Sequence, residues 1–310
     1  MKRCAVRTAV ATIWTDPHSS REIDEPALQY PVHIQDWLSQ LTHEQRLDLC
    51  TSNRTQTQAL FGQEVLKVRE ENGWAEVHVV DQPTAKSELG YPGWIPINQL
   101  EAVPNLIETY PYAFVQAKTA TLYHMNHEVG MEISFQTRLP IIESDAAWVV
   151  VQTPIGKGKL RKEDIRVVYP NDRLWPDSGE QLVELARTFR GLPYLWAGMS
   201  GFGFDCSGFV YQLHRAFDLT IPRDASEQAK QGIKVGSDEL QPGDLLYFAY
   251  EEGKGRVHHV AMYTGDGRMI HAPNTGKQIE EIPISGIYAK EHCISRRYWS
   301  PLTEGGSRHV

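Results

Sequence analysis

Cys206 stands in the segment GFDCSGFVYQL, at the predicted start of a helix. Asp205 can cap that helix. The thiol would then lie in the first turn, where unpaired backbone N–H groups and the positive end of the helix dipole stabilise a thiolate. A nucleophilic cysteine needs such a site, so we expect the pKa of Cys206 to lie below the value of about 8.5 for a free thiol. The alternative is that Cys206 is a small buried apolar residue.

A base for this thiol can be sought on two predicted strands. His258 and His259 lie on the first strand and His271 on the next. Side chains alternate along a strand, and a hairpin that turns at 264–267 through a loop of odd length pairs odd positions with odd positions. His259 and His271 are therefore predicted to share one face, where one imidazole can orient the other. A nucleophile, a base and an orienting group in this order are the parts of a cysteine hydrolase.

The elements that must position these residues are helices first and antiparallel strands second. Ser178 can cap a helix that runs to Arg190, and a second helix starts at Cys206 and ends before Pro222. Strands follow, and they indicate an α+β domain. Their predicted ranges are 244–250, 257–263, 268–272 and 294–299.

The first 170 residues are rich in short β-branched segments instead. Two segments, LFGQEVLKVREENGWAEVHV and ISFQTRLPIIESDAAWVVVQ, share a strand, a short acidic turn and a Trp that opens the next strand. This weak internal repeat predicts two related small β-barrels. The spacing of apolar residues predicts one helix over 34–50, with Thr42 as a possible cap, and 5–14 is expected to be a strand. The predicted domains are therefore 1–108 with a helical insertion at about 31–58, 109–170, and 171–310.

Composition excludes several function classes. The 310 residues carry a net charge of -8, which is the wrong sign for a protein that neutralises phosphates, and 41% of them are hydrophobic, without a run long enough to span a bilayer. The four cysteines are scattered without a CxxC pair, so neither a disulfide framework nor a metal site is indicated. No signal-peptide pattern follows the N-terminus. We expect a cytoplasmic monomer with no metal, cofactor, nucleic acid or membrane partner.

At this point the motifs together resemble those of the NlpC-type cysteine peptidases, papain-like enzymes that cut peptidoglycan peptides. The resemblance covers residues 178–300. It implies that Cys206 is the nucleophile, His259 the general base and His271 the third member. It also implies that the Tyr194 hydroxyl and the Cys206 N–H hold the oxyanion. The motifs are LPYLWAG (192–198), GFDCSGFV (203–210), LQPGDLLYF (240–248), RVHHVAMYTGDG (256–267) and MIHAP (269–273).

The N-terminal segments resemble bacterial SH3-like modules, with Gly73-Trp74 and Gly93-Trp94 in the places of the GxW motif. An arrangement of two such modules before the catalytic domain is similar to that of the YkfC type of γ-D-glutamyl-L-diamino acid endopeptidases. In that type the first module forms one wall of the active site. This likeness implies a set of substrate-binding residues, some of which recognise the free amine of L-Ala. The set comprises Tyr91, Glu64, Arg223 and Asp224, together with Asp205, Ser207 and His258, which flank the nucleophile and the base.

The function expected from this resemblance is hydrolysis of the bond between γ-D-Glu and a diamino acid in small murein peptides with a free N-terminal L-Ala. Such an enzyme serves the recycling of cell-wall peptides. Two alternatives remain open at this stage. One is a papain-like amidase or acyltransferase, because the same Cys and His can run acyl transfer. The other is a hydrolase that cuts intact peptidoglycan.

Overall fold

The strand Trp74–Val79 shows the pattern that builds the first module. Ala75, Val77 and Val79 are buried, and the side chains between them are partly exposed. Because side chains alternate along a strand, one face of this strand lies on a core. Seven strands form one antiparallel sheet around that core: β1 (Lys2–Val6), β2 (Val10–Trp14), β3 (Thr55–Leu60), β4 (Glu64–Glu71), β5 (Trp74–Val79), β6 (Tyr91–Pro96) and β7 (Leu100–Ala102).

The second module repeats this topology strand for strand. The first sheet has the order β3-β2-β6-β5-β4-β1-β7, and the second has the order β10-β9-β13-β12-β11-β8-β14. Each strand of the second sheet thus takes the place of the strand seven positions before it, so the weak repeat in the sequence marks a structural repeat. The second sheet consists of β8 (Tyr112–Val115), β9 (Thr119–Tyr123), β10 (Val129–Ser134), β11 (Arg138–Ser144), β12 (Trp148–Thr153), β13 (Gly156–Arg161) and β14 (Ile165–Val168).

The two modules share part of a core. Phe61, which follows β3 of the first module, is 1% exposed and packs in the cluster formed by the buried side chains of the second, among them Leu139 and Ile165. Because Phe61 belongs to the first module, the second core is incomplete without a residue from that module.

The helical insertion differs from its prediction. The single helix expected over 34–50 is two helices, α2 (Ile34–Gln40) and α3 (His43–Thr51), preceded by the short α1 (Glu25–Leu28). Leu41 is extended, and Thr42 starts the second helix through a reciprocal cap in which its hydroxyl accepts from Gln45 N–H. The insertion also ends earlier than 58, because β3 begins at Thr55.

The prediction of one strand over 5–14 is wrong in a similar way. It is split into β1 and β2, which pair with different strands. Short 3-10 helices also occur at Glu22–Asp24, Ile97–Gln99 and Lys162–Asp164.

The catalytic motifs lie on a layer of helices and a six-stranded antiparallel sheet of order β15-β20-β16-β17-β18-β19. The longer elements are α4 (Gly179–Arg187), α5 (Cys206–Arg215), α6 (Ala225–Gln228), β15 (Ile233–Val235), β16 (Leu245–Ala249), β17 (Val257–Gly265), β18 (Arg268–His271), β19 (Glu280–Pro283), α7 (Gly286–Glu291) and β20 (His292–Arg297). Between them lie the short strands Met199–Ser200 and Gly203–Phe204 and the helical turn Tyr250–Gly253.

Among the described residues, no helix is long and apolar enough to cross a membrane.

This computed structural model describes residues 1–103 and 110–299, and the predicted boundary between 108 and 109 lies outside them. The chain forms two compact units. The first comprises Met1–Gln82, Lys86–Asp172 and Trp196–Gly203. The second comprises Pro83–Ala85, Arg173–Leu195 and the residues from Phe204 onward.

The segment Trp196–Gly203 is fixed inside the first unit by buried hydrogen bonds. The Met199 N–H and the Ser200 hydroxyl donate to Oε1 of Gln58, at 2.9 and 3.1 Å. The Gly201 N–H donates to the Ser134 hydroxyl at 2.8 Å. Gln58 lies on β3 of the first module and Ser134 on β10 of the second, so this segment satisfies buried polar groups in both modules.

Acid is expected to destabilise the protein through His214, which is fully buried on α5. Its Nδ1 is 2.7 Å from the Val210 carbonyl oxygen, and its Nε2 has no hydrogen-bond partner within 1–103 and 110–299. Burial lowers the pKa of His214 from 6.5 to about 4. The unfolded chain therefore binds a proton that the folded chain does not, and stability falls as the pH drops from about 6.5 towards 4.

The check is the free energy of unfolding, measured with urea at pH 7 and at pH 4.5. His214→Asn keeps a side-chain N–H for Val210 but does not titrate. The loss of stability between the two pH values should be smaller in this variant by about 2 kcal/mol. An equal loss in both proteins would mean that His214 is not responsible.

Candidate active site

Helix α5 presents Cys206 in its first turn, as the sequence predicts. Asp205 has an extended backbone, and its Oδ1 accepts a hydrogen bond from the Gly208 N–H at 2.6 Å. This cap fixes the start of the helix one residue before the thiol. Cys206 is 9% exposed, so its sulfur lies at the edge of the protein interior.

A buried ion pair holds the capping residue. The Arg223 guanidinium donates to both carboxylate oxygens of Asp205, at 3.2 and 2.7 Å, and to the Ser207 hydroxyl at 2.9 Å. The Arg223 side chain is 1% exposed. Arg223 neutralises the cap of the helix that carries Cys206, and Asp205 and Ser207 belong to the same buried cluster. The roles of Arg223, Asp205 and Ser207 in binding substrate stay predictions.

The two imidazoles predicted to act together are in contact. Nε2 of His259 is 2.7 Å from Nδ1 of His271, and both side chains are buried. The two residues do not lie directly opposite each other, however. Met262 pairs with Ile270, so by extension His271 lies opposite residue 261 rather than opposite His259. The turn has two residues, and a bulge before Gly265 adds one more to the first strand. Odd-numbered positions of the two strands therefore still point to the same face.

The pKa of Cys206 is opposite to the expectation. Burial, and then the charge of Asp205, raise the pKa of Cys206 to about 12. Backbone N–H groups of Val260 and Ser207 and the charge of Arg223 favour the thiolate, but burial outweighs them. The helix start alone therefore does not ionise this thiol. The hydrogen bond from Val260 also places the sulfur beside β17, next to His259 in sequence.

Both imidazoles are neutral at pH 7. Burial, followed by repulsion from His271 and His258, holds the pKa of His259 well below its usual range. Burial and the charge of Lys277 lower the pKa of His271 to about 4. The resting site thus contains a thiol and a neutral base. The proton must move from sulfur to imidazole when the nucleophile attacks.

Alkylation by iodoacetamide should reveal this resting state. Because the sulfur keeps its proton at neutral pH, the labelling rate of Cys206 should rise between pH 7 and 9, by about tenfold per pH unit. The rate can be measured by peptide mass spectrometry, with exposed Cys293 as an internal reference. A constant rate between pH 5 and 8 would instead indicate a preformed thiolate and imidazolium pair.

Three further predicted residues lie in the same unit. Tyr194 is buried, and its backbone bridges to Phe204, two residues before Cys206. Asp224 is half-buried at the start of α6. His258 points away from the His259 face, since its Nε2 is 3.1 Å from a Glu291 carboxylate oxygen and its ring stacks on Tyr250. A role for His258 in substrate binding therefore has no geometric support.

The two predicted residues of the first module belong to the other unit. Tyr91 is buried in the first core, and its hydroxyl accepts a hydrogen bond from the Lys86 ammonium. The Lys86 nitrogen also lies 4.1 Å from the centre of the Tyr91 ring. Glu64 forms an ion pair with Arg3 at 3.3 Å. Their roles in binding substrate stay predictions.

Two residues beside the imidazoles were not predicted from the sequence. The Tyr288 ring on α7 lies 6.0 Å from the ring of His259 and 5.1 Å from that of His271, between centroids. Glu280 on β19 pairs directly with His271 across the sheet. The pairing of β18 with β19 could have revealed Glu280, but β19 was not predicted. Among the described residues, no group of three or more His, Cys, Asp or Glu side chains could hold a metal ion.

Comparisons with known proteins identify the family of this chain. The profile of the NlpC/P60 family matches residues 191–298, and that of the YKFC SH3b2 domain matches residues 115–168. A gamma-D-glutamyl-L-lysine dipeptidyl-peptidase from Bacillus subtilis is 45% identical over 296 residues, which cover 95% of this chain and 98% of that protein. The chain belongs to the NlpC/P60 family. As an NlpC/P60 protein it is a cysteine peptidase.

Other NlpC/P60 relatives support the same assignment. A gamma-D-glutamyl-L-lysine dipeptidyl-peptidase from Bacillus cereus is 41% identical over 299 residues, which cover 94% of this chain and 90% of that protein. A crystal structure of an NlpC/P60 family protein from Bacillus cereus aligns with a TM-score of 0.92 at 40% identity, over 96% of this chain and 100% of that chain. The predicted fold class, a papain-like α+β domain preceded by two SH3-like barrels, is confirmed.

Proposed function

We propose that this enzyme hydrolyses the bond between γ-D-Glu and L-Lys, or a related diamino acid, in small murein peptides with a free N-terminal L-Ala. The observation that carries the proposal is the contact of His259 with His271. It is supported by the place of Cys206 at a capped helix start, with its sulfur hydrogen-bonded to the Val260 N–H next to His259 in sequence. Two relatives that align over nearly the whole chain are named gamma-D-glutamyl-L-lysine dipeptidyl-peptidases. A dipeptidyl-peptidase releases two residues from an amino end, which agrees with a requirement for free L-Ala.

The proposed reaction begins with proton transfer from Cys206 to His259. His271 occupies Nε2 of His259, so Nδ1 is the nitrogen left to receive this proton. The sulfur attacks the γ-amide carbonyl, and the Tyr194 hydroxyl and the Cys206 N–H are proposed to stabilise the oxyanion. His259 then returns the proton to the nitrogen of the leaving diamino acid as the C–N bond breaks. The product of this half-reaction is a thioester on Cys206.

Water completes the cycle. His259 takes a proton from the water as its oxygen attacks the thioester carbonyl, and it returns that proton to the sulfur as the C–S bond breaks. The products are the dipeptide L-Ala-γ-D-Glu and the regenerated Cys206 thiol. In this scheme the neutral state of His259 at pH 7 is an advantage, because only the neutral imidazole can accept either proton.

Mass spectrometry of a peptide digest tests this proposal. Incubation with L-Ala-γ-D-Glu-L-Lys should yield L-Ala-γ-D-Glu and free Lys, and a matched peptide with meso-diaminopimelate shows how narrow the choice of diamino acid is. An intact tripeptide after digestion would contradict the proposal. A product with a new acyl acceptor would identify an acyltransferase. The monomeric state and the cytoplasmic location expected from the sequence stay predictions.

A further inference from the structure

A carboxylate faces the buried far side of His271. Glu280 is its direct cross-strand partner on β19, and Oε1 of Glu280 is 3.5 Å from Nε2 of His271. The His271 side chain is fully buried, and among the described residues its Nε2 has no hydrogen-bond partner. Glu280 is 40% exposed, so its side chain can rotate to close this gap. Contacts of this kind are often long before substrate binds and shorten in the complex.

The protons on the two imidazoles are linked. Only one proton can lie between Nε2 of His259 and Nδ1 of His271. To act as a base through Nδ1, neutral His259 must carry its proton on Nε2 and donate it to His271. His271 must then carry its own proton on Nε2, the atom that faces Glu280. If that proton moves to Nδ1 of His271, the proton of His259 moves to Nδ1 as well, and the base is blocked.

We propose that Glu280 is a positioning residue that accepts the Nε2 proton of His271 and thereby holds His259 in the tautomer that can take the thiol proton. This inference rests on the proposed function. A buried N–H without an acceptor is costly, and an anionic acceptor favours one tautomer strongly. Glu280 acts through His271 and His259 and does not touch the substrate in this role.

The other groups around His271 do not offer an alternative acceptor at Nε2. His259 on β17 occupies Nδ1. Tyr288 on α7 approaches ring to ring, nearly perpendicular at 5.1 Å between centroids. Lys277, in the loop before β19, is a cation that lowers the pKa of His271 and cannot accept a proton from it. Among the described residues, Glu280 is thus the acceptor placed for this task.

Two variants of Glu280 and one neighbour test the inference. Glu280→Ala removes the acceptor, whereas Glu280→Gln keeps a carbonyl oxygen of the same reach. Glu281→Ala is the matched control, because Glu281 is the next residue of β19 but bonds to Arg187, at 2.8 and 3.1 Å. The tautomers can be read from long-range 1H–15N correlations in histidine-labelled full-length protein, with His271→Gln used to assign the signals. This measurement needs no turnover.

Glu280→Ala should shift His271 from the Nε2–H form to a mixture and lower kcat about 10-fold with KM nearly unchanged. Glu280→Gln should restore the tautomer and most of kcat, and Glu281→Ala should change neither. An unchanged tautomer in Glu280→Ala overturns the inference, whatever happens to kcat. If no protein cleaves the tripeptide, the proposed function fails, and the tautomer still decides the role of Glu280.

Discussion

Replacing Cys206 by Ala is expected to lower kcat for L-Ala-γ-D-Glu-L-Lys by about 10⁴-fold or more. The thioester cannot form without the sulfur, and only binding and the oxyanion contacts remain to assist water. His259→Ala should cause a loss of similar size, because the thiol pKa of about 12 leaves almost no thiolate at pH 7 without a base. The measurement is the initial rate of Lys release at saturating peptide.

Neighbouring residues of the same type provide the controls. Cys293→Ala should leave the rate unchanged, since this thiol is exposed and bonds to the Tyr247 carbonyl oxygen. His258→Ala should keep most of the activity, because His258 pairs with Glu291. A larger loss in His258→Ala than in His259→Ala would show that the wrong histidine has been assigned as the base.

The second large effect concerns the amino end of the substrate. N-acetylation of L-Ala, or its attachment to muramic acid, should lower kcat/KM by about 100-fold or more. We expect Asp224, a half-buried carboxylate, to meet the free α-ammonium group. A neutral acylated amine cannot form this ion pair with Asp224, so the acylated peptide loses a charge-assisted hydrogen bond that the free peptide keeps.

The assay compares the free and the N-acetylated tripeptide on three proteins. Asp224→Asn should reduce the preference for the free amine, chiefly by slowing the free peptide. Glu227→Gln is the matched control on α6, because Glu227 already accepts hydrogen bonds from Thr84 and from the Ala85 N–H. Similar rates of the unaltered enzyme on both peptides would identify a wall-cutting hydrolase, and the recycling assignment would be wrong.

The placement of the proposed catalytic residues can be predicted from the sequence because it depends on local patterns. A helix start places Cys206, and the parity of His259 and His271 along two strands places both imidazoles on one face. A two-residue turn combined with one bulge residue still places odd-numbered positions on one face, so the shared face of His259 and His271 is predicted correctly from the sequence. Such reasoning needs only the alternation of side chains.

Properties that depend on the surrounding fold were not accessible. The pKa of Cys206 follows from burial by distant segments, and this outweighs the local helix start. The burial of Arg223 beside Asp205 depends on how residues 18 positions apart pack together. The break at Leu41 shows that apolar spacing alone does not distinguish one helix from two when a cap can form between them.

The hydrogen bonds of Trp196–Gly203 bear on the order in which the protein folds during synthesis. Chains emerge from the ribosome with the N-terminal end first, and N-terminal domains usually fold before the rest is made. Here the buried amide of Gln58 and the buried hydroxyl of Ser134 gain these partners only when residues 199–201 have been translated. The last step in folding of the N-terminal unit must therefore wait until more than half of the chain exists. A ribosome-bound chain that ends near residue 172 should be more sensitive to protease than one that extends well beyond residue 203.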